Sequence, residues 1–111
     1  MRLPNANRAY VEENKVIRYL LAFDHPKGSS KAAFFVGHGF EATHWTVLAD
    51  ALCKLARDYP VTRVIQNDFV TKYVVEGLLA TSQGDLLSLR TVWAVAEPRQ
   101  APRFVTAYPL H

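Results

Sequence analysis

Five residues of this chain have side chains suited to proton transfer or to phosphate binding. They are His25, Lys31, Arg90, Thr106 and Tyr108. A histidine titrates near neutral pH and can serve as a general acid or base. Lysine and arginine can stabilise negative charge that develops on a phosphate, and two hydroxyls in one strand suit phosphate binding. Most of these residues also have a purely structural interpretation. His25 precedes a proline and could be a turn residue, Arg90 could be an ordinary surface arginine, and Thr and Tyr are common in strands.

The position of Arg90 in its strand makes it the most informative of these side chains. Alternation along residues 86–96 places Leu87, Leu89, Thr91, Trp93 and Val95 on one face. Trp93 marks that face as core, so Arg90 points to the opposite face among apolar neighbours. Hydroxyls and cations beside Arg90 would favour phosphate chemistry, whereas an apolar environment would favour a protein interface. In the last strand we expect Phe104, Thr106 and Tyr108 to share a face.

The histidines do not form a recognisable metal site. His38 and His44 flank Glu41, and His25 or His111 could add a further ligand, but this spacing matches no compact zinc pattern. The chain has no phosphate-binding P-loop, no dinucleotide-binding glycine motif and no nucleophile elbow. We therefore expect neither a metal nor a cofactor.

The candidate residues are carried by helices before Pro60 and by strands after it. Apolar residues recur at helical spacing over residues 12–23, a second helix starts at Ser29 or Ser30 and ends near Gly37 or Gly39, and a third runs from an N-cap at Thr43 to Tyr59. Dense β-branched and aromatic residues predict strands over 61–65, 69–79, 86–96 and 104–108. Short turns at 81–85 and 97–102 make the last three strands an antiparallel meander, and the first strand is the weakest.

This segregation predicts an α+β fold in which two to three N-terminal helices pack on one face of a three- to four-stranded antiparallel sheet. The chain of 111 residues, half of them hydrophobic, suits a single domain spanning 1–111. Thirteen Lys and Arg against ten Asp and Glu give a net charge of +3, which permits an RNA partner without demanding one. With one cysteine, Cys53, and no long apolar run, we expect a cytoplasmic protein without a membrane span.

Several motifs resemble a family of small bacterial proteins known as a domain of unknown function. They are His25-Pro26-x-Gly28-x-x-Lys31-Ala32, Arg90-Thr91-Val92-Trp93 and the closing Thr106-x-Tyr108-Pro109. The resemblance runs nearly end to end. The order of helices and strands, with a histidine and a lysine on the helical part, is also similar to the metal-independent ribonucleases of the barnase, EndoU, colicin and RelE superfamily. Many members of that superfamily are toxins.

The second likeness implies RNA cleavage by attack of a 2′-hydroxyl on the neighbouring phosphate. His25 would then be the acid or base, and Lys31 and Arg90 would bind the phosphate. Thr106 and Tyr108 would orient the scissile group or supply a second proton. A cognate inhibitor is the expected protein partner of such a toxin. The hypothesis requires the five residues to converge in one cleft.

A non-enzymatic interaction module, such as an antitoxin or immunity-like partner, is the alternative. It predicts a large apolar patch, and an exposed sheet face or edge strand that pairs with another chain. An edge strand would also permit a homodimer, unless Lys72 and Glu76 act as charged gatekeepers against strand pairing.

Overall fold

Four β-strands follow Pro60 in the computed structural model, which describes residues 1–24 and 29–110. They are β1 (Val61–Gln66), β2 (Thr71–Ala80), β3 (Leu86–Val95) and β4 (Arg103–Pro109). Each strand pairs antiparallel with the next one along the chain, so the sheet order is β1-β2-β3-β4. The predicted meander is confirmed, and β1 extends it by one edge strand.

The helices precede the sheet and pack on one of its faces. They are α1 (Glu13–Lys15), which continues into a π-helical segment (Val16–Leu20), then α2 (Ser29–Gly37) and α3 (Trp45–Asp58). Short 3-10 turns occupy Ala6–Arg8 and Ala42–His44. The predicted α+β fold, with helices on an antiparallel sheet, is therefore confirmed. In the described parts of the chain, no helix is both long and apolar enough to cross a bilayer.

The first helix is shorter and wider than the regular α-helix predicted over residues 12–23. The backbone N–H of Leu21 donates to the carbonyl of Val16, five residues earlier, at 2.8 Å. This π-type bond adds a residue to the turn. Val16, Leu20 and Leu21 are all buried, so the apolar stripe was correctly identified while its helical geometry was not.

Backbone geometry at Gly39 ends α2. Gly39 has φ 94°, a left-handed conformation that glycine adopts without steric penalty. The N–H of Phe40 then donates to the carbonyl of Phe35 at 3.1 Å, as in a Schellman motif. The predicted N-cap at Thr43 is wrong, because Thr43 lies inside a 3-10 turn and its hydroxyl contacts His44 Nδ1 at 3.2 Å. Helix α3 begins at Trp45 instead.

The core lies between the helices and one face of the sheet, as the alternation in β3 predicted. Leu87, Leu89, Thr91, Trp93 and Val95 are all buried. The buried hydroxyl of Thr91 donates to the Val75 carbonyl at 2.8 Å and accepts from the indole N–H of Trp93 at 2.9 Å. This relay gives the large indole a polar partner inside the core.

An irregularity opposite β3 divides the residues of β4 between the two faces of the sheet. Val92 pairs with Thr106, whereas Trp93 pairs with Phe104, so the register shifts by one residue. Phe104 is fully buried against Trp93, with ring centroids 5.4 Å apart. Our expectation that Phe104 shares a face with Thr106 and Tyr108 is therefore wrong, since a bulge reverses the alternation of side chains.

The edges of the sheet differ from each other. Beside β4, Tyr10 forms an isolated parallel bridge to Arg103, and the Tyr10 carbonyl accepts from the N–H of Phe104 at 3.0 Å. β1 forms the opposite edge, so Lys72 and Glu76 lie on an inner strand and cannot guard an edge. Phe69 precedes β2 in a turn that is held by the side-chain oxygen of Asn67, and it is 86% exposed.

Candidate functional site

Four of the predicted site residues come together with a tyrosine from the helical part of the chain. We call Tyr19, Lys31, Arg90, Thr106 and Tyr108 the Tyr108 cluster. The Lys31 ammonium lies 5.5 Å from the ring centroid of Tyr19 and 5.8 Å from that of Tyr108. The guanidinium carbon of Arg90 lies 5.7 Å from the Tyr108 centroid. Two cations thus approach one aromatic ring, within the usual range of cation–π attraction.

Strand pairing explains why the strand residues of this cluster meet. Arg90 pairs with Tyr108 and Val92 pairs with Thr106, so both hydroxyl residues lie on the sheet face that carries Arg90. This outer face is opposite the core. The cluster is partly exposed, since Lys31, Arg90, Thr106 and Tyr108 are neither fully buried nor fully exposed. The helices contribute Lys31 from the first turn of α2 and Tyr19 from the π-helical segment.

Tyr19 links the helices to β4 directly. Its hydroxyl lies 3.1 Å from Thr106 Oγ1, and Lys15 places a second ammonium 5.4 Å from its ring. Partial burial raises the pKa of the Tyr19 phenol, but the Thr106 hydroxyl and the Lys31 ammonium outweigh that effect, with a smaller contribution from Lys15. The pKa of Tyr19 is therefore lowered from its ordinary value.

Arg90 is held by a carboxylate on the neighbouring strand. Its Nε donates to Glu76 Oε2 at 2.6 Å, in register with the Glu76–Arg90 strand pair. The Glu76 carboxylate, and after it Tyr108, raises the pKa of the Arg90 guanidinium above its ordinary value. Arg90 is thus a cation with a carboxylate and a phenol beside it, in addition to the apolar neighbours expected from the sequence.

A concavity of about 320 Å³ opens on the outer sheet face next to the cluster. Val74 and Val92, which are paired across β2 and β3, contribute apolar lining. The polar and charged lining comes from Arg63, Glu76, Arg90 and Tyr108 among others. Arg90 and Tyr108 therefore belong both to this concavity and to the Tyr108 cluster.

The structure brings together Lys31, Arg90, Thr106 and Tyr108, and His25 lies outside the described residues. Sequence reasoning did not include Tyr19 among the site residues. It considered Glu76 only as a charged gatekeeper against strand pairing. The signal for Glu76 was its position on the polar side of a strand whose partner carries Arg90. That signal requires the strand register, which the hairpin turn at residues 81–85 sets.

The remaining histidines of the described chain make separate local contacts. His38 faces Asp85 at 3.7 Å, and His44 faces Glu41 at 3.3 Å. Over residues 1–24 and 29–110, no three His, Cys, Asp or Glu side chains are grouped closely enough to hold a metal ion.

Fold and site together define a small α+β domain with a cationic, aromatic cluster at one edge of an antiparallel meander. The chain belongs to the family described as a domain of unknown function, DUF6883, whose sequence model matches residues 2–111. No curated protein matches the sequence.

A solved structure has a similar fold. It is a chain of a contact-dependent growth inhibition toxin–immunity protein complex from Klebsiella pneumoniae 342, with a TM-score of 0.72. The alignment covers 98% of this chain and 99% of that chain, at 12% sequence identity. At that identity the likeness shows a shared fold.

Proposed function

We propose that this protein is a metal-independent endoribonuclease of the toxin type, in which the Tyr108 cluster binds the scissile phosphate. The observation that carries the proposal is the approach of Lys31 and Arg90 to one tyrosine ring, beside the hydroxyl of Thr106. Positive charge and hydroxyl donors in one partly exposed site suit a phosphodiester in its transition state. The fold is shared with a chain of a toxin–immunity protein complex, which is consistent with a toxin and equally with an immunity protein.

The reaction needs a base, a phosphate-binding group and an acid. A base takes the proton of the RNA 2′-hydroxyl, whose oxygen then forms a bond to the adjacent phosphorus. The bond from phosphorus to the 5′-oxygen breaks, and that oxygen receives a proton. The products are a 2′,3′-cyclic phosphate and a 5′-hydroxyl. This transfer of protons and bonds requires no metal ion and no cofactor.

Lys31 and Arg90 are assigned the phosphate oxygens, because ammonium and guanidinium groups form strong, charge-assisted hydrogen bonds to phosphate. Tyr108 and Thr106 are assigned the orientation of the scissile group or the proton that the leaving 5′-oxygen takes. Tyr19 positions Thr106 through the 3.1 Å contact between their oxygens. His25 keeps the role of acid or base that the sequence suggested. The Glu76 carboxylate reduces the net positive charge of the site through its ion pair with Arg90.

Cleavage of a labelled single-stranded RNA in the presence of EDTA tests the proposal. The wild type should give products ending in 2′,3′-cyclic phosphate, and a substrate with 2′-deoxyribose at the cleaved position should resist. Lys31→Met should reduce kcat/KM by about 10²-fold or more, as expected for loss of one charge-stabilising group. Lys54→Met is the matched control, because Lys54 lies on α3 and contacts Asp58.

The same variants are then induced in bacterial cells, together with His25→Ala. Wild-type protein should arrest growth and degrade RNA, and Lys31→Met and His25→Ala should do neither. Intact RNA after exposure to folded wild-type protein, both in vitro and in cells, would exclude the ribonuclease function.

An immunity-like binding module is the second candidate, and the exposed edge of the sheet favours it. β1 pairs with β2 on one side, and Val64 and Ile65 on this strand are 44% and 42% exposed. Such an edge can add a strand from a protein partner. If this candidate is correct, the wild type is harmless, and Val64→Lys abolishes capture of the partner while Lys31→Met leaves it intact.

A further inference from the structure

We propose that a groove between α3 and an unpaired edge of β2 binds an extended, acidic segment of a protein partner. We call it the α3–β2 groove, and its lining includes Ala51, Leu55, Tyr59, Leu78, Leu79 and Leu86. Among the described residues, none lines both this groove and the concavity beside the Tyr108 cluster. A segment bound in the groove therefore leaves the cluster accessible, and the groove is a second surface whose use does not depend on RNA cleavage.

The second half of β2 has no neighbouring strand on the side of β1. The register between the two strands ends where Val61 pairs with Val75, whereas β2 continues to Ala80. In the described part of the chain, no strand pairs with residues 77–80 on that side. This part of β2 is thus an unpaired edge, although β2 is an inner strand over its first half.

The main-chain groups of Leu78 and Ala80 point to this unpaired edge. The Val74 carbonyl faces β1, since it accepts from the Thr62 hydroxyl at 3.3 Å. Alternate residues of an antiparallel strand direct their N–H and C=O groups to the same side. Leu78 and Ala80 therefore face the side that Val74 faces, and both residues are exposed. An added strand can bond to these groups as it would to any free sheet edge.

Apolar side chains from α3 and the sheet make this edge one wall of a groove. Leu55 on α3 and Leu79 on β2 are buried, whereas Leu78 and Leu86 are 45% and 62% exposed. The groove has a volume of about 260 Å³, and Tyr59 lies in it where α3 ends. Apolar lining beside free main-chain groups suits an extended peptide, whose backbone joins the sheet while alternate side chains enter the pocket.

Charges at the end of α3 determine the chemistry of the partner segment. Lys54 and Asp58 line the groove and neutralise each other through an ion pair. Hydrogen bonding to Lys54 lowers the pKa of Asp58, and Arg57 and Arg2 add smaller effects in the same direction. The Arg2 guanidinium also donates to the Asp58 carbonyl at 2.6 Å. Arg57 and Arg2 thus leave an excess of positive charge beside the groove, which favours an acidic segment.

Two synthetic peptides of opposite chain direction, Asp-Glu-Val-Thr-Leu-Thr and Thr-Leu-Thr-Val-Glu-Asp, test the groove. Both are blocked at their ends, and each carries two aliphatic side chains at alternate positions, as a strand presents them to one face. In an NMR titration of the whole protein, one of them should shift the amide signals of Leu78, Ala80 and the last turn of α3. It should bind about tenfold more tightly than the same peptide with two lysines in place of the acidic pair.

Variants separate the main-chain contribution from the charge contribution. Ala80→Pro removes an N–H that faces the unpaired edge and spares the β2–β3 ladder. It should weaken peptide binding about fivefold, as expected for one lost hydrogen bond, whereas Ala80→Val keeps the N–H and should still bind. Arg57→Glu should abolish the preference for the acidic peptide. The exposed Arg99→Glu, in the turn before β4, is the charge-matched control.

A further variant keeps the test valid if Ala80→Pro fails to fold. Ala51 lies on α3 and lines the groove, so Ala51→Trp should fill it and abolish peptide binding. Val64→Lys, which changes the β1 edge, should leave peptide binding intact. Equal affinity for acidic and basic peptides, amide shifts confined to the Tyr108 cluster or β1, or binding that survives Ala51→Trp would each refute the proposal. A dimer of the protein alone that Ala51→Trp dissociates would assign the groove to a second copy and would overturn it as well.

Discussion

The contact between Lys31 and Tyr19 shows how the cluster depends on individual side chains. The two residues belong to different helical segments, and Tyr19 in turn contacts Thr106 on β4. Removing the Lys31 charge therefore changes the pKa of the Tyr19 phenol as well as the proposed phosphate site. A single substitution can thus be followed by a signal that is independent of activity.

We predict that Lys31→Met raises the pKa of Tyr19. Burial raises this pKa, and the Thr106 and Lys31 interactions lower it, so loss of the ammonium leaves the raising effect less opposed. Ultraviolet absorbance of phenolate during a pH titration, with Tyr19→Phe to assign the transition, measures the change. Lys54→Met should leave the Tyr19 transition in place, and an unchanged transition in Lys31→Met would contradict the assignment.

The lowered pKa of Tyr19 also determines how the stability of the fold changes with pH. The folded-state pKa of Tyr19 is depressed, so the stabilisation by Thr106 and Lys31 is fully present above the ordinary tyrosine pKa, about 10. It is lost as pH falls through the depressed value. Lys31→Met should accordingly destabilise the fold more in the alkaline range than at neutral pH.

At the scale of elements, close packing of α3 against the sheet depends on a glycine. A Cβ at Gly77 would overlap the ring of Tyr59, the residue that follows α3. The overlap includes Cγ at the base of the Tyr59 ring, so the whole ring would have to shift to accommodate a Cβ. Absence of a side chain at position 77 therefore lets the last turn of α3 approach β2.

We predict that Gly77→Ala lowers the free energy of unfolding by about 1–3 kcal/mol, the usual effect of overpacking a close contact. Urea denaturation followed by far-UV circular dichroism measures it. Gly37→Ala is the control, because a Cβ there meets no atom within 4 Å and alanine is the better helix former. Equal stability of Gly77→Ala and wild type would show that Tyr59 can move away.

The sequence predicted the helices and strands better than it predicted which side chains contact one another. Helical apolar spacing identified the three helical regions, because burial against a common core imposes that period. Dense β-branched and aromatic residues identified all four strands. The patterns did not reveal the π-helical segment after Lys15 or the register shift beside Val92, since both depend on backbone bonds that tertiary packing selects. That register shift separates Phe104 from Thr106 and Tyr108, so local periodicity placed the two hydroxyl residues on one face correctly but assigned Phe104 to the wrong face.

At the scale of the whole molecule, the charge excess of +3 is small for an RNA-binding protein. Under the proposed function, affinity for RNA comes from the local concentration of cations in the Tyr108 cluster and not from the overall field. Lys15, Lys31 and Arg90 all contact the rings of Tyr19 or Tyr108. This arrangement makes the salt dependence of binding a measure of which cations contact phosphate.

We predict that Lys31→Met reduces the slope of log affinity for single-stranded RNA against log salt by about 0.7, the change expected for one lost phosphate contact. Fluorescence anisotropy across a salt series measures the slope, with a 2′-deoxy position blocking cleavage. Lys54→Met changes the net charge equally and should leave the slope unchanged. Equal reductions in both variants would indicate diffuse binding over the surface.

The contact between Tyr19 and Thr106 spans 87 residues of sequence, and this separation has a kinetic consequence. Long-range contacts form only after the entropy cost of closing the intervening chain has been met. The cluster takes Thr106 and Tyr108 from β4, so no partly folded chain that lacks this strand contains the complete cluster. The complete cluster is therefore a product of the completed fold, since a chain that has formed only its helices and its first hairpins lacks Thr106 and Tyr108.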